Sequence, residues 1–252
     1  MKEYRVLRVY SDDLKKEKRV FIYLPKSYDT SDKYYPVLYM HDGHNLFDDK
    51  QATFGTSWGI LDAYAEQADI PEVIIVGIET EGDSRADELI PYEFKYKNGE
   101  IAGGKADLYL KFITTVLKPY IDRRFRTFKS PKNTGIMGSS FGGVNSIYAS
   151  LMYGEYFTRF GCVSNALMYG GFFKELKKLA ASTQFHSVKK FYMDVGTAET
   201  DNKSFNELYV DSNQEYFNII KDKIDESRRR FDVIEKGIHN EKDWAIRFPE
   251  II

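Results

Sequence analysis

Hydrophobic residues in the first third of the chain fall into short runs that are typical of β-strands. Residues 4–10, 19–24 and 35–40 are rich in β-branched and aromatic side chains, and turn-forming residues follow each run. Residues 73–78, with the sequence Val-Ile-Ile-Val-Gly-Ile, are apolar throughout, as in a strand that is covered on both faces. The pattern therefore predicts four strands before residue 80.

The rest of the chain alternates between helix-like and strand-like patterns. Apolar residues at helical spacing predict helices over residues 58–67, 108–125, from about Phe141, over 172–181 and 210–227, and in a short segment after His239. Further strands are predicted at residues 135–138, 160–164, 190–196 and 230–236. Strands that alternate with helices predict a mostly parallel, twisted sheet with helices on both faces. No linker-like stretch or internal repeat divides the chain, so we expect a single α/β domain over residues 1–252.

The charge balance excludes some classes of partner. The chain has 36 basic and 38 acidic residues and a formal net charge of -2, so no overall field attracts it to nucleic acid or to an anionic membrane. The basic run Arg228-Arg229-Arg230 is interpreted as a solvated helix end and not as a phosphate-binding site. We therefore predict neither a nucleic-acid partner nor a membrane partner.

Cysteine usage and the amino-terminal sequence bear on location. Cys162 is the single cysteine, so neither an internal disulfide nor a cysteine zinc cluster can form, and its apolar surroundings indicate a small buried hydrophobe. No apolar signal core follows Met1, and no stretch approaches the roughly 18 apolar residues that span a bilayer. These features predict a cytoplasmic protein.

The segment Gly138-Ser139-Ser140-Phe141-Gly142 matches the pattern G-x-S-x-G. In such a turn a serine is held between a strand and a helix, and small residues around it let the backbone segments approach closely. The segment lies where a predicted strand ends and a helix begins, which is the context that the pattern requires. We therefore predict that Ser140 is a nucleophile, and that Ser139 is out of register for that role.

A serine nucleophile needs a base, for which histidine is suited near neutral pH. The chain has four histidines, His41, His44, His186 and His239. In this class of site the chain order is serine, acid, histidine, and the acid follows a late strand. His41 and His44 precede Ser140, and His186 precedes the strand at residues 190–196, so His239 is the predicted base.

The acid and the oxyanion-binding amides are predicted from the ends of strands. Glu199 and Asp201 both follow the strand at residues 190–196 and both qualify as the acid, with Glu199 preferred; Asp194 lies inside the strand and is expected to be structural. The amide of Phe141 is one predicted oxyanion donor, and the loop after residue 40 supplies the second, from Gly43 or His44.

Two other patterns are interpreted as coincidental. His41-x-x-His44 could hold a metal, but no further ligands stand at suitable spacing, so no metal is predicted. Residues 99–106 resemble a phosphate-binding loop but end in Ala106, which lacks the hydroxyl that binds magnesium. We interpret this segment as a surface loop, and we predict no cofactor.

With these residues placed, the chain resembles the esterase D-like (putative esterase) family of α/β-hydrolases, which includes feruloyl, acetylxylan, siderophore and formylglutathione esterases. The resemblance covers nearly the whole chain, and its motifs are Val37-Leu-Tyr-Met-His-Asp-Gly-His-Asn-Leu-Phe47, Gly103-Gly-Lys-Ala-Asp107, Leu117-Lys-Pro-Tyr-Ile-Asp122, Gly138-Ser-Ser-Phe-Gly-Gly143, Met193-Asp-Val-Gly-Thr-Ala-Glu199 and His239-Asn-Glu-Lys-Asp-Trp244. It implies an α/β-hydrolase fold, and it adds support to Glu199, because the family's acid stands three residues after the glycine. The early loop lacks the cysteine of the formylglutathione hydrolases, which disfavours that activity.

The sequence thus predicts a serine carboxylesterase that hydrolyses small or acyl-sugar esters through a Ser-His-acid triad and an acyl-enzyme. An acyltransferase with the same triad and a non-catalytic binding protein with the same fold remain as alternatives. The expected partner is a small-molecule ester, and a homo-oligomer is possible. Aromatic residues at 54–58, 92–96 and 168–173 are candidates either for lining the substrate pocket or for core packing.

Overall fold

The computed structural model of the protein describes residues 4–80 and 82–252. Its main feature is an eight-stranded sheet with the order β1-β2-β4-β3-β7-β8-β9-β10. The strands of this sheet are β1 Tyr4–Ser11, β2 Lys16–Tyr23, β3 Val37–His41, β4 Ile74–Ile78, β7 Thr134–Ser139, β8 Arg159–Val163, β9 Lys190–Gly196 and β10 Arg229–Ile234. Two short strands, β5 Phe94–Lys95 and β6 Ile101–Ala102, form a separate antiparallel pair.

Six of the eight main strands run parallel. β4, β3, β7, β8, β9 and β10 pair in parallel, whereas β1 and β2 form a hairpin that joins β4 in antiparallel fashion. Each of the predicted strands is present within a few residues of its predicted bounds. The α/β class and the mostly parallel sheet are confirmed. We propose that residues 1–252 form one domain, because strands from both halves of the chain share this sheet.

The helices are α1 Ile60–Glu66, α2 Arg85–Leu89, α3 Ala106–Phe112, α4 Lys118–Arg124, α5 Phe141–Met152, α6 Gly170–Ser182, α7 Lys203–Ile220 and α8 Glu241–Ile251. In the segment predicted as one helix over residues 108–125, a π-helical turn over Ile113–Leu117 separates α3 from α4. Pro119, near the start of α4, has no N–H to bond the preceding turn, which accounts for the change of helical pitch there.

Three boundary predictions were wrong. The helix predicted at residues 210–227 begins at Lys203, because the Asn202 side chain accepts a hydrogen bond from the Phe205 N–H and caps it, and it ends at Ile220. The segment after His239 is a helix of 11 residues and not a short one. The run Arg228-Arg229-Arg230 is only partly a helix end, since Arg228 ends a 3-10 helix over Glu226–Arg228 whereas Arg229 and Arg230 begin β10.

The two faces of the sheet carry two cores. The larger core lies under α2 to α7 and buries residues such as Tyr109, Phe112, Val144, Phe172 and Tyr216. The smaller core lies under α1 and α8, where Trp58, Tyr64, Trp244 and Phe248 pack on Met40 and Met137. Cys162 is fully buried, and this burial raises the pKa of its thiol well above its usual value, which suppresses thiolate chemistry. Within residues 4–80 and 82–252, no helix has the length and apolar content needed to cross a bilayer.

The parallel arrangement brings several chain segments to one edge of the sheet. β3, β7, β9 and β10 end at His41, Ser139, Gly196 and Ile234, and their carboxyl ends lie at the same edge of the sheet. The loops that follow them carry every residue predicted for the site. We refer to this side as the carboxyl edge, and it is where ligands bind in open α/β sheets.

Candidate active site

Ser140 occupies a strained turn between β7 and α5. Its backbone has φ 58° and ψ -122°, a conformation that residues with a side chain rarely adopt, and it is the residue immediately before the helix. The Ser140 N–H donates to the carbonyl of Val163 at 2.9 Å, and the Ser140 carbonyl accepts from the Val144 N–H at 3.2 Å. The turn is therefore anchored to β8 on one side and to the helix on the other.

The glycines around Ser140 are required by close packing. A Cβ on Gly138 would lie 2.7 Å from the ring of His41, and one on Gly142 would lie 3.1 Å from the His41 Cβ. A Cβ on Gly143 would overlap the Asn165 side chain. His41 at the end of β3 therefore presses on the turn from one side and Asn165, after β8, from the other.

His239 and Glu199 are in direct contact. The His239 Nδ1 lies 2.7 Å from the Glu199 Oε2, and the Gly196 N–H donates to the Glu199 Oε1 at 2.6 Å. The Glu199 carboxylate is fully buried, whereas about a fifth of the His239 side chain, 22%, is exposed. Asp201, the alternative acid, is exposed and forms no hydrogen bond or ion pair with the described residues. Of the two candidates, the fold brings Glu199 alone to His239.

The loops that carry Glu199 and His239 are held together by their backbones. The Ala198 N–H donates to the Gly237 carbonyl at 3.0 Å, and the Thr197 N–H donates to the Ile234 carbonyl at 3.0 Å. Gly196 lies so close to Gly237 that a Cβ on Gly196 would overlap the Gly237 backbone. This approach is possible only without a side chain, and it holds the loops at hydrogen-bonding distance.

Two aromatic rings enclose the imidazole of His239. The Trp244 ring meets it edge-on with 5.0 Å between ring centroids, and the Tyr209 ring lies 5.5 Å away. The Trp244 Nε1 donates to the Ser164 Oγ at 2.9 Å. Trp244 lies within the motif His239-Asn-Glu-Lys-Asp-Trp244, but the sequence pattern predicted no role for it.

Ser164, after β8, is the centre of a buried polar network. Its Oγ also accepts from the Arg247 Nη2 at 3.2 Å, and its N–H donates to the Asp194 Oδ1 at 2.8 Å. The Arg247 Nε lies 3.0 Å from the Asp194 Oδ2. Asp194 therefore has the structural position expected of it. The network ties α8, which begins two residues after His239, to the ends of β8 and β9.

Within the described residues 4–80 and 82–252, no hydrogen bond joins the Ser140 hydroxyl to His239. The His239 Nδ1 faces Glu199, so its Nε2 is the nitrogen that is free to accept a proton. In free enzymes the bond between nucleophile and base is often long and shortens when substrate binds.

The predicted oxyanion residues lie beside the turn. Phe141 is the first residue of α5, where the helix offers no acceptor for its N–H. Gly43 packs directly on the backbone of Gly77 in β4, and the ring of His44 bonds the Thr53 hydroxyl at 2.9 Å. The amides of Phe141, Gly43 and His44 stay predictions for this role.

Asp42 supports the loop of Gly43 and His44. It has φ 53°, and its carboxylate accepts from the Thr80 hydroxyl at 2.5 Å and from the Arg85 guanidinium at 2.8 and 2.9 Å. Burial by itself would raise the pKa of Asp42, but the charge and hydrogen bonds of Arg85 and the bond from Thr80 outweigh it and hold this pKa below its usual value. Asp42 is therefore ionised at neutral pH and fixes the loop.

His41 and His44 do not face a common point. The His41 Nδ1 lies 3.0 Å from the Tyr109 hydroxyl, whereas the His44 ring bonds Thr53. In the part of the chain that the structure describes, no group of three or more histidine, cysteine, aspartate or glutamate side chains is arranged to hold a metal ion. The phosphate-loop-like segment includes β6 of a two-stranded hairpin, so the helix at Ala106 does not follow a buried strand.

Aromatic side chains gather next to the nucleophile. Phe141 packs on Phe94 and Tyr169, with centroid distances of 5.8 and 5.7 Å, and Tyr96 lies 6.1 Å from Tyr169. Tyr96 and Tyr169 are partly exposed. We call Phe94, Tyr96, Phe141 and Tyr169 the aromatic cluster. In the candidate segment at residues 54–58, Phe54 is 80% exposed and Trp58 is buried in the smaller core.

Comparison with known proteins places the chain in a family. A family model described as "Putative esterase" matches residues 11–252. The chain belongs to this esterase family. Membership identifies the chain as a hydrolase of carboxylic esters, and it confirms the resemblance and the enzyme class predicted from the sequence.

Relatives of this esterase are similar over most of its length. A Bacillus subtilis (strain 168) protein, "Uncharacterized protein YbbA", is 26% identical over 239 residues, which are 92% of this chain and 89% of the relative. An IroE-like serine hydrolase from Shewanella oneidensis has a TM-score of 0.77 at 22% identity, covering 99% of this chain and 79% of that one. A ferulic acid esterase has a TM-score of 0.70 at 19% identity, covering 98% and 96%. The likenesses to solved structures confirm the α/β-hydrolase fold.

Proposed function

We propose that this esterase is a serine carboxylesterase that acts through Ser140, His239 and Glu199. The observation that supports the proposal best is the hydrogen bond between the His239 Nδ1 and the buried Glu199 carboxylate, at 2.7 Å. This contact holds the imidazole with Nδ1 protonated and Nε2 available as the base. Ser140, in its strained turn at the same edge of the sheet, is the nucleophile that such a base would serve.

In the first step, the Ser140 Oγ attacks the ester carbonyl carbon while the His239 Nε2 takes the hydroxyl proton. The negative charge on the carbonyl oxygen is stabilised by the Phe141 amide and by that of Gly43 or His44. The tetrahedral intermediate collapses, the bond to the alcohol oxygen breaks, and His239 returns the proton to the leaving alcohol. Glu199 stabilises the imidazolium that exists between these proton transfers.

In the second step, a water molecule attacks the acyl group on Ser140. His239 accepts a proton from this water, a second tetrahedral intermediate forms, and the acid is released as the proton returns to the Ser140 Oγ. The turn need not move between the steps, since its backbone is anchored to Val163 and Val144.

The aromatic cluster supports an aromatic acyl group as the substrate class. Tyr169 lies beside Phe141, the residue that follows the nucleophile, Tyr96 lies against Tyr169, and both tyrosines are partly exposed. Aromatic pairs in this geometry contribute about 0.5–1.5 kcal/mol beyond their buried area. The ferulic acid esterase with the same fold is named for an aromatic acid. We therefore favour esters of aromatic acids over those of short aliphatic acids.

The assignment of the nucleophile is tested with Ser140→Ala and the matched neighbour Ser139→Ala. Hydrolysis of p-nitrophenyl acetate should fall by about 10³ to 10⁶ in kcat for Ser140→Ala, because one triad residue is lost. Ser139→Ala should retain nearly full activity, since Ser139 belongs to β7. Undiminished turnover by Ser140→Ala would overturn the proposal.

The substrate class is tested separately by comparing kcat/KM for methyl ferulate and methyl hexanoate. The wild-type enzyme should prefer the ferulate, and Tyr169→Ala should reduce that preference by about two- to twelvefold, as expected from about 0.5–1.5 kcal/mol of aromatic contact. An equal loss on both substrates would show that Tyr169 has only a structural role.

A further inference from the structure

A half-open groove lies at the opposite edge of the sheet from Ser140. Its volume is about 660 Å³, within the range of about 300–1,000 Å³ that is usual for small-molecule sites. It is lined by the amino-terminal ends of β3, β7, β8, β9 and β10 and by the last residues of α8. We call it the amino-edge groove. Because parallel strands place their two ends at opposite edges of a sheet, it is separate from the candidate active site.

The register of the strands explains the apolar floor of the groove. Met40, Met137, Gly161 and Tyr192 are paired in one row across β3, β7, β8 and β9, on the face covered by α8. Gly161 contributes no side chain, and Met137 lies over it. Beyond this row the floor is completed by aliphatic residues that line the groove on the same face, namely Leu38, Val73, Ile251 and Ile252.

The next row of paired residues on the same face of the sheet places cations at the mouth of the groove. Leu38, Gly135, Arg159 and Lys190 are paired across β3, β7, β8 and β9, so Arg159 and Lys190 stand side by side on adjacent strands. Adjacent strands are about 4.8 Å apart, and like charges at that separation repel. Arg228, exposed immediately before β10, adds a third cation to the lining.

These three cations form no direct ion pair with a carboxylate of the described residues. The Arg159 Nε donates to the Lys132 carbonyl at 3.4 Å and the Lys190 Nζ to the Ser227 carbonyl at 3.2 Å, but in the described part of the chain no carboxylate lies within 4.0 Å of Arg159, Lys190 or Arg228. Arg230, by contrast, is paired with Asp232 at 2.7 Å. The groove lining therefore holds five cationic side chains, those of Arg159, Lys190, Arg228, Arg229 and Arg230, against the one carboxylate side chain of Glu250, directly beside an apolar floor.

We propose that the amino-edge groove binds an amphipathic carboxylate of the fatty-acid type. The carboxylate would lie between Arg159, Lys190 and Arg228, where it offsets the repulsion between neighbouring cations. The hydrocarbon chain would lie on the row that contains Met137 and Tyr192, under the end of α8. A neutral amphiphile would leave the cations unpaired, and a short anion would leave the apolar floor in water, so the two features together select a ligand with both parts.

The test is calorimetric titration of the full chain with dodecanoate, dodecanol and acetate. Dodecanoate should bind more tightly than dodecanol or acetate. The double variant Arg159→Gln/Lys190→Gln should weaken dodecanoate binding at least tenfold. Lys174→Gln/Lys178→Gln, which removes two exposed charges from α6 on the other face of the sheet, should leave binding unchanged. Thermal unfolding of each variant shows whether the fold is retained.

A second variant addresses the apolar floor. Ile251→Gln, on the last turn of α8, should weaken dodecanoate binding and leave acetate binding as it is. Equal binding of dodecanoate by the wild type and the Arg159→Gln/Lys190→Gln variant would overturn the proposal. Loss of dodecanoate binding in Tyr169→Ala alone would also overturn it, because the ligand would then lie in the candidate active site. Absence of dodecanoate binding by the wild type would overturn it as well, including the case in which a second copy covers the groove and Arg159→Gln/Lys190→Gln abolishes that association. None of these outcomes bears on the role of Ser140.

Discussion

The Glu199 Oε2 lies 2.7 Å from the Nδ1 of His239, although 40 residues separate these two residues along the chain. Between them the chain forms α7 and β10, and it returns to the end of β9 because β9 and β10 are adjacent parallel strands. The close approach of Gly196 and Gly237 then brings the two loops together. The contact is therefore a product of sheet topology and of two residues without side chains.

The two candidate acids should differ sharply when each is replaced by alanine. Glu199→Ala removes the partner of the His239 Nδ1 and should lower kcat for p-nitrophenyl acetate by about 10⁴, the loss seen when the acid of a triad is replaced. Asp201→Ala is the matched control, and its activity should stay close to that of the wild type because Asp201 is exposed. A severe loss in Asp201→Ala with an active Glu199→Ala would reverse the assignment.

Trp244 should act on the position of His239. Its ring meets the imidazole edge-on at 5.0 Å, and its Nε1 donates to the Ser164 Oγ. Trp244→Phe keeps an aromatic ring but loses this hydrogen bond, so we expect kcat to fall by about tenfold, equivalent to about 1.4 kcal/mol, with KM unchanged. The measurement is steady-state kinetics on p-nitrophenyl acetate.

Trp58→Phe is the matched control for this prediction. Trp58 packs on Trp244 at 5.7 Å in the same core, but it makes no ring contact with His239. It should lower the melting temperature without a comparable loss of kcat. If both variants lose the same activity, Trp244 contributes only to packing.

Gly143→Ala should destabilise the protein, because the added methyl group would overlap the Asn165 side chain between α5 and β8. Overpacking of this kind costs about 1–3 kcal/mol. Gly171→Ala is matched to it, since Gly171 also lies near the start of a helix but its nearest neighbour would be 3.5 Å from the new Cβ. Urea unfolding should show a lower free energy for Gly143→Ala and an unchanged or slightly higher one for Gly171→Ala. Similar effects at both positions would show that crowding at Asn165 is not the cause.

His41 should make the fold sensitive to acid. Burial lowers the pKa of His41 from its ordinary value of 6.5 to about 3, so the folded state holds this ring neutral where the unfolded chain protonates it. The contribution of the neutral His41 ring to the free energy of unfolding is therefore fully present above pH 6.5. It is lost as the pH falls towards 3, and the free energy of unfolding then decreases by up to about 1.4 kcal/mol per pH unit.

The measurement is the free energy of unfolding from urea titrations between about pH 7 and pH 4, where this linkage acts. His41→Asn removes the titrating ring, and its free energy should decline less steeply with falling pH than that of the wild type. Parallel curves for the two proteins would contradict the linkage to His41. The absolute stability of the variant is not the readout, since it also loses the contact with the Tyr109 hydroxyl.

Local patterns in the sequence predicted most of the strands and helices of the fold. Continuous apolar runs such as residues 73–78 predicted buried strands, because a strand covered on both faces needs apolar side chains on both. Helix ends were less predictable. The start of α7 depends on the cap by Asn202, and the break after α3 depends on the missing N–H of Pro119. Each effect rests on a single residue, so it is harder to recognise in the sequence than the repeated spacing of apolar residues.

For the site, the sequence by itself determined which groups are available: a serine between glycines, one histidine in the required order, and two carboxylates after a late strand. It could not decide between Glu199 and Asp201, which stand two positions apart. The tertiary structure separates them, because the backbone turn after Gly196 buries Glu199 against the returning loop and leaves Asp201 in solvent. The places of Trp244 and Ser164 and the cations of the amino-edge groove were likewise decided only by the fold, since each depends on strands and helices that are distant in sequence and meet by packing.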